Sequence, residues 1–259
     1  MKKYIYIIAI AFLFIQCSSD DNDRQGVYFP KQIEIKTLKG LQVTTTYVLT
    51  YNPQNLITKI EKQTSIANEN ALKEIRISYT SNLDVKEIRS INNNNSETLT
   101  TFGHDDFGII NQMDIKTDES DIKIEVNYNP VQNLYTLDGM LSNFPMYFNF
   151  DHVEVLQSVS GPTINNRVIT HDVDKNGLFQ NLRPQPELIF WSELFIFGEF
   201  TLALNYLTPK QINSISQELD ENINFENFKR DESENIISYT FKTILVERQY
   251  NITYQVRHL

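Results

Sequence analysis

The stretch Val43-Thr44-Thr45-Thr46-Tyr47-Val48-Leu49-Thr50-Tyr51-Asn52-Pro53-Gln54-Asn55-Leu56 decides the fold class. Val43, Thr45, Tyr47, Leu49 and Tyr51 alternate with more polar positions, so they share one face of a strand. Asn52-Pro53 then breaks the run. Asn tolerates turn backbone conformations and Pro fixes φ, so the chain reverses there. A strand closed by a polar turn and reopened by an apolar residue is half of a hairpin.

The same period recurs along the chain. Ile33 and Ile35 alternate with charge, and Ile75, Ile77 and Tyr79 repeat the pattern. So do Ile122, Ile124, Val126 and Tyr128, then Val153 and Val155, then Ile237, Tyr239 and Phe241, and last Ile252, Tyr254 and Val256. Turn residues separate these runs, among them Lys39-Gly40, Ser81-Asn82, Asn92 to Asn95, His104 to Gly108, Asp118 to Ser120, Asn129-Pro130, Asp151-His152 and Asp231 to Glu234. Short strands at such spacing form antiparallel hairpins joined in series. Thirteen Tyr and sixteen Phe against eight Gly favour a pleated, half-buried surface.

One segment departs from this period. From Pro184 to Leu207 the chain is densely apolar, with Leu188, Ile189, Phe190, Trp191, Leu194, Phe195, Ile196, Phe197 and Phe200. Period alone does not separate helix from buried strands in such a run. The flanking prolines and the length favour one apolar helix at about 187–205, packed on the sheet. Two long buried strands, or an apolar surface for a partner, are the alternatives. The expected fold is therefore mainly β: an antiparallel hairpin meander forming a large twisted sheet that can curl on itself, with that helix against it.

The N-terminus gives an address. Met1-Lys2-Lys3 precedes an apolar run from Tyr4 to Ile15, then Gln16-Cys17. A short positive head and an apolar run too short to span a bilayer form an export signal. Phe14-Ile15-Gln16-Cys17 resembles a lipobox, departing from the usual pattern at Phe14 and Gln16. The resemblance implies cleavage before Cys17 and lipid attachment to that cysteine. Ser18-Ser19-Asp20-Asp21-Asn22-Asp23 looks like the acidic tether of Bacteroidetes-type lipoproteins, where it accompanies display on the outer surface. The expected organisation is a signal peptide at 1–16, a flexible tether at 17–26 and a single β-rich domain at 27–259. The expected location is the bacterial outer membrane, lipid-anchored and facing outward.

An internal repeat points the same way. Tyr51-Asn-Pro-Gln-Asn-Leu56 returns as Tyr128-Asn-Pro-Val-Gln-Asn-Leu134, one residue longer. Tyr79-Thr-Ser-Asn-Leu83, Phe150-Asp-His-Val153 and His171 to Leu178 are looser echoes. This resembles the YD-repeat-like hairpins of uncharacterised Bacteroidetes-type surface lipoproteins, over roughly 27–182. The resemblance implies a large antiparallel sheet and no established activity.

Charge narrows the partners. The chain carries formal charge −10, and loss of Lys2 and Lys3 with the signal leaves 21 basic against 33 acidic residues. Nucleic acid is bound through cationic contacts to phosphate, so it is excluded as a partner. Cys17 is the lone cysteine, which rules out disulfides within the chain and a thiolate zinc site.

Candidate chemistry is sparse. Asp172-Val173-Asp174-Lys175-Asn176-Gly177 matches the opening of a calcium loop, with Asp172, Asp174 and Asn176 as oxygen ligands. The twelfth position is Arg183 where a bidentate Glu belongs. A polar turn accounts for the same residues. Three histidines touch aspartate (His104-Asp105-Asp106, Asp151-His152 and His171-Asp172), a pattern open to metal or general-base use but also natural to turns. No nucleophile elbow, phosphate loop or zinc-protease motif occurs. The expected role is a membrane-anchored binding or structural lipoprotein without catalysis and without a cofactor, calcium apart. Its partners are the membrane through the lipid, and a protein, glycan or apolar ligand. A glycan-acting hydrolase using carboxylates and a carrier of an apolar ligand are the alternatives.

Overall fold

The computed structural model describes residues 26–65, 71–139, 145–152, 155–161, 164–195, 208–217 and 222–258. Within them the period-two runs form sixteen strands. These are β1 (Val27–Thr37), β2 (Thr44–Tyr51), β3 (Ile57–Thr64), β4 (Leu72–Tyr79), β5 (Val85–Asn92), β6 (Glu97–His104), β7 (Ile110–Lys116) and β8 (Asp121–Asn129). They continue as β9 (Leu134–Asp138), β10 (Met146–Phe150), β11 (Leu156–Gly161), β12 (Ile164–Asn176), β13 (Lys210–Gln217), β14 (Ile223–Arg230), β15 (Ile236–Lys242) and β16 (Glu247–Arg257). One helix, α1 (Pro186–Phe195), lies between β12 and β13. Val153, read as part of a strand, lies outside the described residues.

Each strand pairs antiparallel with its neighbour in sequence, as the meander predicts. The expected open sheet is corrected by its edges, because β1 pairs with β16 and the sheet closes into a barrel. Ile33 faces Ile252 and Ile35 faces Tyr250 across the closing seam, so apolar rows meet in register. Closure leaves no unpaired edge for another chain to join.

The inward face is apolar all round. Tyr47 and Leu49 on β2, Ile75 and Ile77 on β4, Met113 and Ile115 on β7, Phe148 on β10, Ile215 on β13 and Tyr250 on β16 belong to one buried cluster. Every strand contributes to it. The outward face is charged: Glu34–Lys36, Lys59–Glu61, Glu74–Arg76, Glu87–Arg89–Glu97 and Glu226–Lys242 pair along or across neighbouring strands. These exposed pairs add little stability each. Their position shows which side meets water.

Helix α1 is placed differently from the expectation. The remainder of the expected helix, 196–205, lies outside the described residues. Leu188, Ile189, Phe190, Trp191 and Leu194 are buried, and so are Glu187, Ser192 and Glu193. The helix is therefore enclosed on all sides within the barrel instead of packed on a sheet face. A helix buried all round needs no polar stripe, which is why its sequence shows no clear helical period.

Candidate functional site: the capped rim

Even-numbered strands turn into odd-numbered ones at one end of the barrel, and four of the turns described there share a geometry. Asn52 Oδ1 accepts the N–H groups of Gln54 and Leu56, at 3.0 and 2.9 Å. Thr80 Oγ1 does the same for Asn82 and Asp84, Asp105 Oδ1 for Phe107 and Ile109, and Asp231 Oδ1 for Ser233 and Asn235. In each, the fourth residue of the turn takes positive φ: Asn55, Leu83, Gly108 and Glu234. An Asx or Thr side chain that mimics a turn carbonyl selects this residue type at the first position. The Tyr51 to Leu56 unit and its echo at Tyr79 to Leu83 thus share one turn, which recurs at Asp105 and Asp231 on the same rim. The Asn129–Asn133 turn holds the extra residue, with Asn133 at positive φ.

The repeat's tyrosine also has a shared contact. Tyr51 Oη donates to the Pro30 carbonyl at 2.7 Å, Tyr79 to Ile57 at 2.6 Å and Tyr254 to Ile236 at 2.9 Å. Each stands near the end of an even-numbered strand and reaches the start of the preceding odd one. Burial raises all three phenol pKa values, so the hydroxyls remain donors.

The segment 177–187 crosses this rim as a cap and then enters the barrel as α1. Gln180 Nε2 donates to Asn235 Oδ1 at 3.0 Å, and Asn181 Nδ2 donates to the Tyr28 carbonyl at 2.9 Å. Arg183 donates to the Asn82 carbonyl at 3.2 Å and to Asp84 Oδ1 at 3.1 Å. His104 Nε2 meets Glu187 Oε1 at 2.9 Å, with both side chains nearly buried. The hydrogen bond to Glu187 is the main cause that holds the His104 imidazole above its ordinary pKa. Deeper in, Phe190 packs on Phe148 and Tyr135, with ring centroids 4.7 and 5.2 Å away. Arg167 Nη1 donates to Glu193 Oε2 at 2.6 Å.

Pro186 opens the helix where a missing N–H costs nothing, and Glu187 sits in the first turn, where the helix dipole favours a carboxylate. A polar cavity of about 70 Å³ remains beneath the cap, lined by Asp84, Gly108, Tyr135, Arg183, Gln185 and Glu187 among others. Gln185 Nε2 is buried without a hydrogen-bond partner. The cavity has room for a few waters or a very small polar molecule. The arrangement holds α1 in place through one imidazole–carboxylate pair and one guanidinium–carboxylate pair.

The residues singled out from sequence fall as follows. Cys17 lies outside the described residues. Asp172, Asp174 and Asn176 sit at the rim end of β12, where pairing with β13 jumps from Asp172–Gln211 to Asn176–Lys210. The residues between them bulge outward. Asp172 Oδ1 accepts the Asp174 N–H at 3.2 Å. Cationic side chains engage the loop's backbone oxygens: Lys210 Nζ donates to the Val173 carbonyl and Arg230 Nη2 to that of Asn176, both at 2.8 Å. Among the described residues, no group of three or more His, Cys, Asp or Glu side chains could hold a metal ion. The His–Asp pairs lie at this rim, where Asp151 acts electrostatically on His171, without forming a group of three or more metal-capable side chains among the described residues. His104 takes Glu187 instead of its neighbouring aspartates, and burial lowers the pKa of His171. Sequence reasoning missed the His104–Glu187 pair. Its signal was Glu187 itself, a lone acid directly after Pro186 at the head of an apolar run.

Fold and rim together define a closed antiparallel β-barrel, filled by its own side chains and by a helix that enters through a capped end. The fold is similar to the crystal structure of a porin-like protein from Bacteroides uniformis ATCC 8492, with a TM-score of 0.53 at 12% sequence identity, covering 87% of this chain and 98% of that one. No family model and no curated protein matches the chain.

At that identity the likeness concerns the fold alone, and the polarity of this wall runs against a pore. A barrel that spans a membrane carries an apolar outer belt about 25 Å tall and a polar interior, and Lys or Arg at mid-depth of that belt costs roughly 2–4 kcal/mol. Here Arg76, Arg89, Lys59 and Lys116 lie on the outer wall and the core cluster fills the lumen. This barrel has its polar side out.

Proposed function

We propose that the chain is an envelope lipoprotein, held by lipid on Cys17 at the outer membrane, whose water-facing barrel has a binding or structural role without catalysis or conduction. One observation carries this reading: apolar side chains from every strand fill the barrel around α1 while the outer wall is charged. Such a body needs no bilayer around it and offers no passage through it. A Bacteroides protein with a similar fold supports an envelope setting. The carrier alternative calls for an apolar cavity beside the helix; a cavity lined by Leu178, Ile212, Phe225 and Tyr239 measures about 20 Å³, and a larger space of about 620 Å³ is lined by Asn213, Asn222, Asn224, Glu226 and Lys242 among others, with none of its described lining residues in α1. The hydrolase alternative calls for two free carboxylates facing a cleft wide enough for sugar. Around the 70 Å³ cavity Asp84 is tied to Arg183 and Glu187 to His104.

The test is intact-mass analysis of the protein recovered from its own outer membrane. A chain beginning at Cys17 with added acyl mass is the expected result. A free Cys17, or a chain that still begins at Met1, overturns the anchored reading.

A further inference from the structure

Charge is spread unevenly around the barrel wall. Strands β1, β3, β4, β5, β7 and β8 each carry charged side chains on the outer face. Strands β10 and β11 hold no charged residue at all. In β12, from Ile164 to Thr170, the one charge is Arg167, which turns inward to Glu193. Strand β13 has none after Lys210 at its rim end. Four consecutive strands therefore present an uncharged outer face. Strand β2 is also uncharged, but Glu34, Lys36, Lys59 and Glu61 flank it on β1 and β3. No other arc of this width among the described strands lacks charge.

Sheet register orders this face into rows. Asn149 stands opposite Ser158, Ser158 opposite Val168, and Val168 opposite Ser216. The next row runs from Thr170 through Ser214 to Asn224. Neighbouring strands lie about 4.8 Å apart, so each row is a line of short side chains at that spacing. Val168 is 54% exposed, and Tyr147, beside the first row, is 37% exposed. The second row leads into a groove. Asn224 lines it together with Asn213, Asn222, Glu226, Lys242 and Thr243, and it encloses about 620 Å³. Small-molecule sites measure about 300–1,000 Å³. Asn222 and Asn224 are exposed, and Glu226 and Lys242 neutralise each other at 3.4 Å.

We propose that this face and its groove bind a neutral glycan chain. The inference rests on the binding reading of the barrel and names the class of ligand. Charge complementarity selects a neutral ligand, because a charged one would lose water here without gaining a counter-charge. Hydrogen-bond chemistry selects hydroxyls. Ser, Thr and Asn side chains each carry both a donor and an acceptor. A sugar hydroxyl does the same, so two adjacent hydroxyls meet one carboxamide with a bond in each direction. Tyr147 offers an apolar ring to the C–H face of a sugar. A protein partner fits less well, since protein interfaces centre on clustered Trp, Tyr and Arg, and here Tyr147 stands alone. Cleavage of a glycan uses two acids. Glu226 is the lone carboxylate among the described residues of the groove, and Lys242 holds it. The chain is therefore held and not cut.

The test is native electrophoresis of the full-length protein, in neutral detergent, through gels containing dextran, galactomannan or mixed-linkage β-glucan. Alginate serves as the anionic control. The expected result is retardation in at least one neutral gel and none in alginate. N224A should weaken that binding about tenfold, the effect of one lost pair of hydrogen bonds. V168E, which places a carboxylate under the chain, should abolish it. T50E, which places the same charge on the outer face of β2, should leave it unchanged. Thermal midpoints report folding of each variant, and N224A decides the matter if V168E unfolds. Free migration in all three neutral gels overturns the proposal, as does equal binding by wild type, N224A and V168E. A dimer in sedimentation that V168E dissociates also overturns it, in favour of a second copy on this face. Lipid on Cys17 is read separately by mass, so the glycan site and the anchored reading can each fail while the other stands.

Discussion

His104 on β6 and Glu187 in the first turn of α1 meet at 2.9 Å across 83 residues of sequence, and this pair fastens the internal helix to the barrel wall. Because the bond holds His104 above its ordinary value of 6.5, the charged pair contributes fully below about pH 6.5 and loses its contribution as pH rises through the raised value. Asp84 and Asp105 act in the same direction. The advantage in thermal midpoint of the wild type over H104Q should shrink from pH 6 into the mildly alkaline range, a comparison that cancels His171, whose lowered pKa acts in the opposite direction in both proteins. H104A, which leaves Glu187 nearly buried, should cost about 3 kcal/mol near neutral pH. An advantage over H104Q that grows across that range contradicts the charged pair.

Arg167 and Glu193 form the second fastening, at 2.6 Å. Removing one member of a largely buried pair costs several kcal/mol, whereas replacing both with apolar groups can be close to neutral. R167M alone should therefore lower stability by about 3 kcal/mol, and R167M/E193L should recover most of it. Urea unfolding of the two single variants and the double variant gives the coupling energy. Additive losses would show that the two side chains stabilise α1 independently.

The tyrosine contacts form a series. Y51F, Y79F and Y254F each remove one hydroxyl from a backbone carbonyl, so each should cost about 1 kcal/mol. Y79F and Y254F should add nearly independently, whereas Tyr51 interacts with both other tyrosines and bonds to Pro30, the sheet partner of Tyr254, so combinations with Y51F should couple. A triple variant as stable as the wild type would leave the repeat's tyrosine without a role beyond packing.

Much of this was legible in the sequence, and the limits have physical causes. Strand period and turn chemistry are local, so Val43 to Tyr51 and the Asn52 turn read directly. The repeat of Tyr51 to Leu56 at Tyr128 to Leu134 did not emerge as one turn: Asn52 Oδ1 accepts from Gln54 and Leu56, whereas Asn129 Oδ1 accepts from Val131 and Gln132 and Tyr128 donates to Asn133. Closure is not local. The pairing of Ile33 with Ile252 joins opposite ends of the chain, and nothing in either strand names its partner. The helix was visible as an apolar block, but its placement was not, because burial on all sides removes the stripe that would point toward a core. Ile237 follows an apolar run yet is exposed, since a register shift between β14 and β15 skips it and breaks the alternation, and Val256 is exposed near the end of β16. His104–Asp105 and Asp151–His152 marked strand ends and turns, His171–Asp172 proved to lie within β12, and the pairs misled about partners. A histidine finds its hydrogen bond in space, and His104 found Glu187.

The Asp172–Asn176 bulge gives a prediction about calcium. With Lys210 and Arg230 on the Val173 and Asn176 carbonyls, an added cation must displace two positive groups. Millimolar calcium should shift the thermal midpoint no more than the same ionic strength of magnesium. A saturable rise specific to calcium, abolished in D172N/D174N, would show that the bulge rearranges to bind it.

The filled barrel is tested most directly by Trp191, the single tryptophan, which is 1% exposed within α1. A helix packed among Phe148, Phe150 and Tyr135 predicts blue-shifted indole emission, poorly quenched by acrylamide until the protein unfolds in denaturant. A red-shifted band with efficient quenching in the native protein would place α1 in a water-filled lumen and contradict the filled barrel.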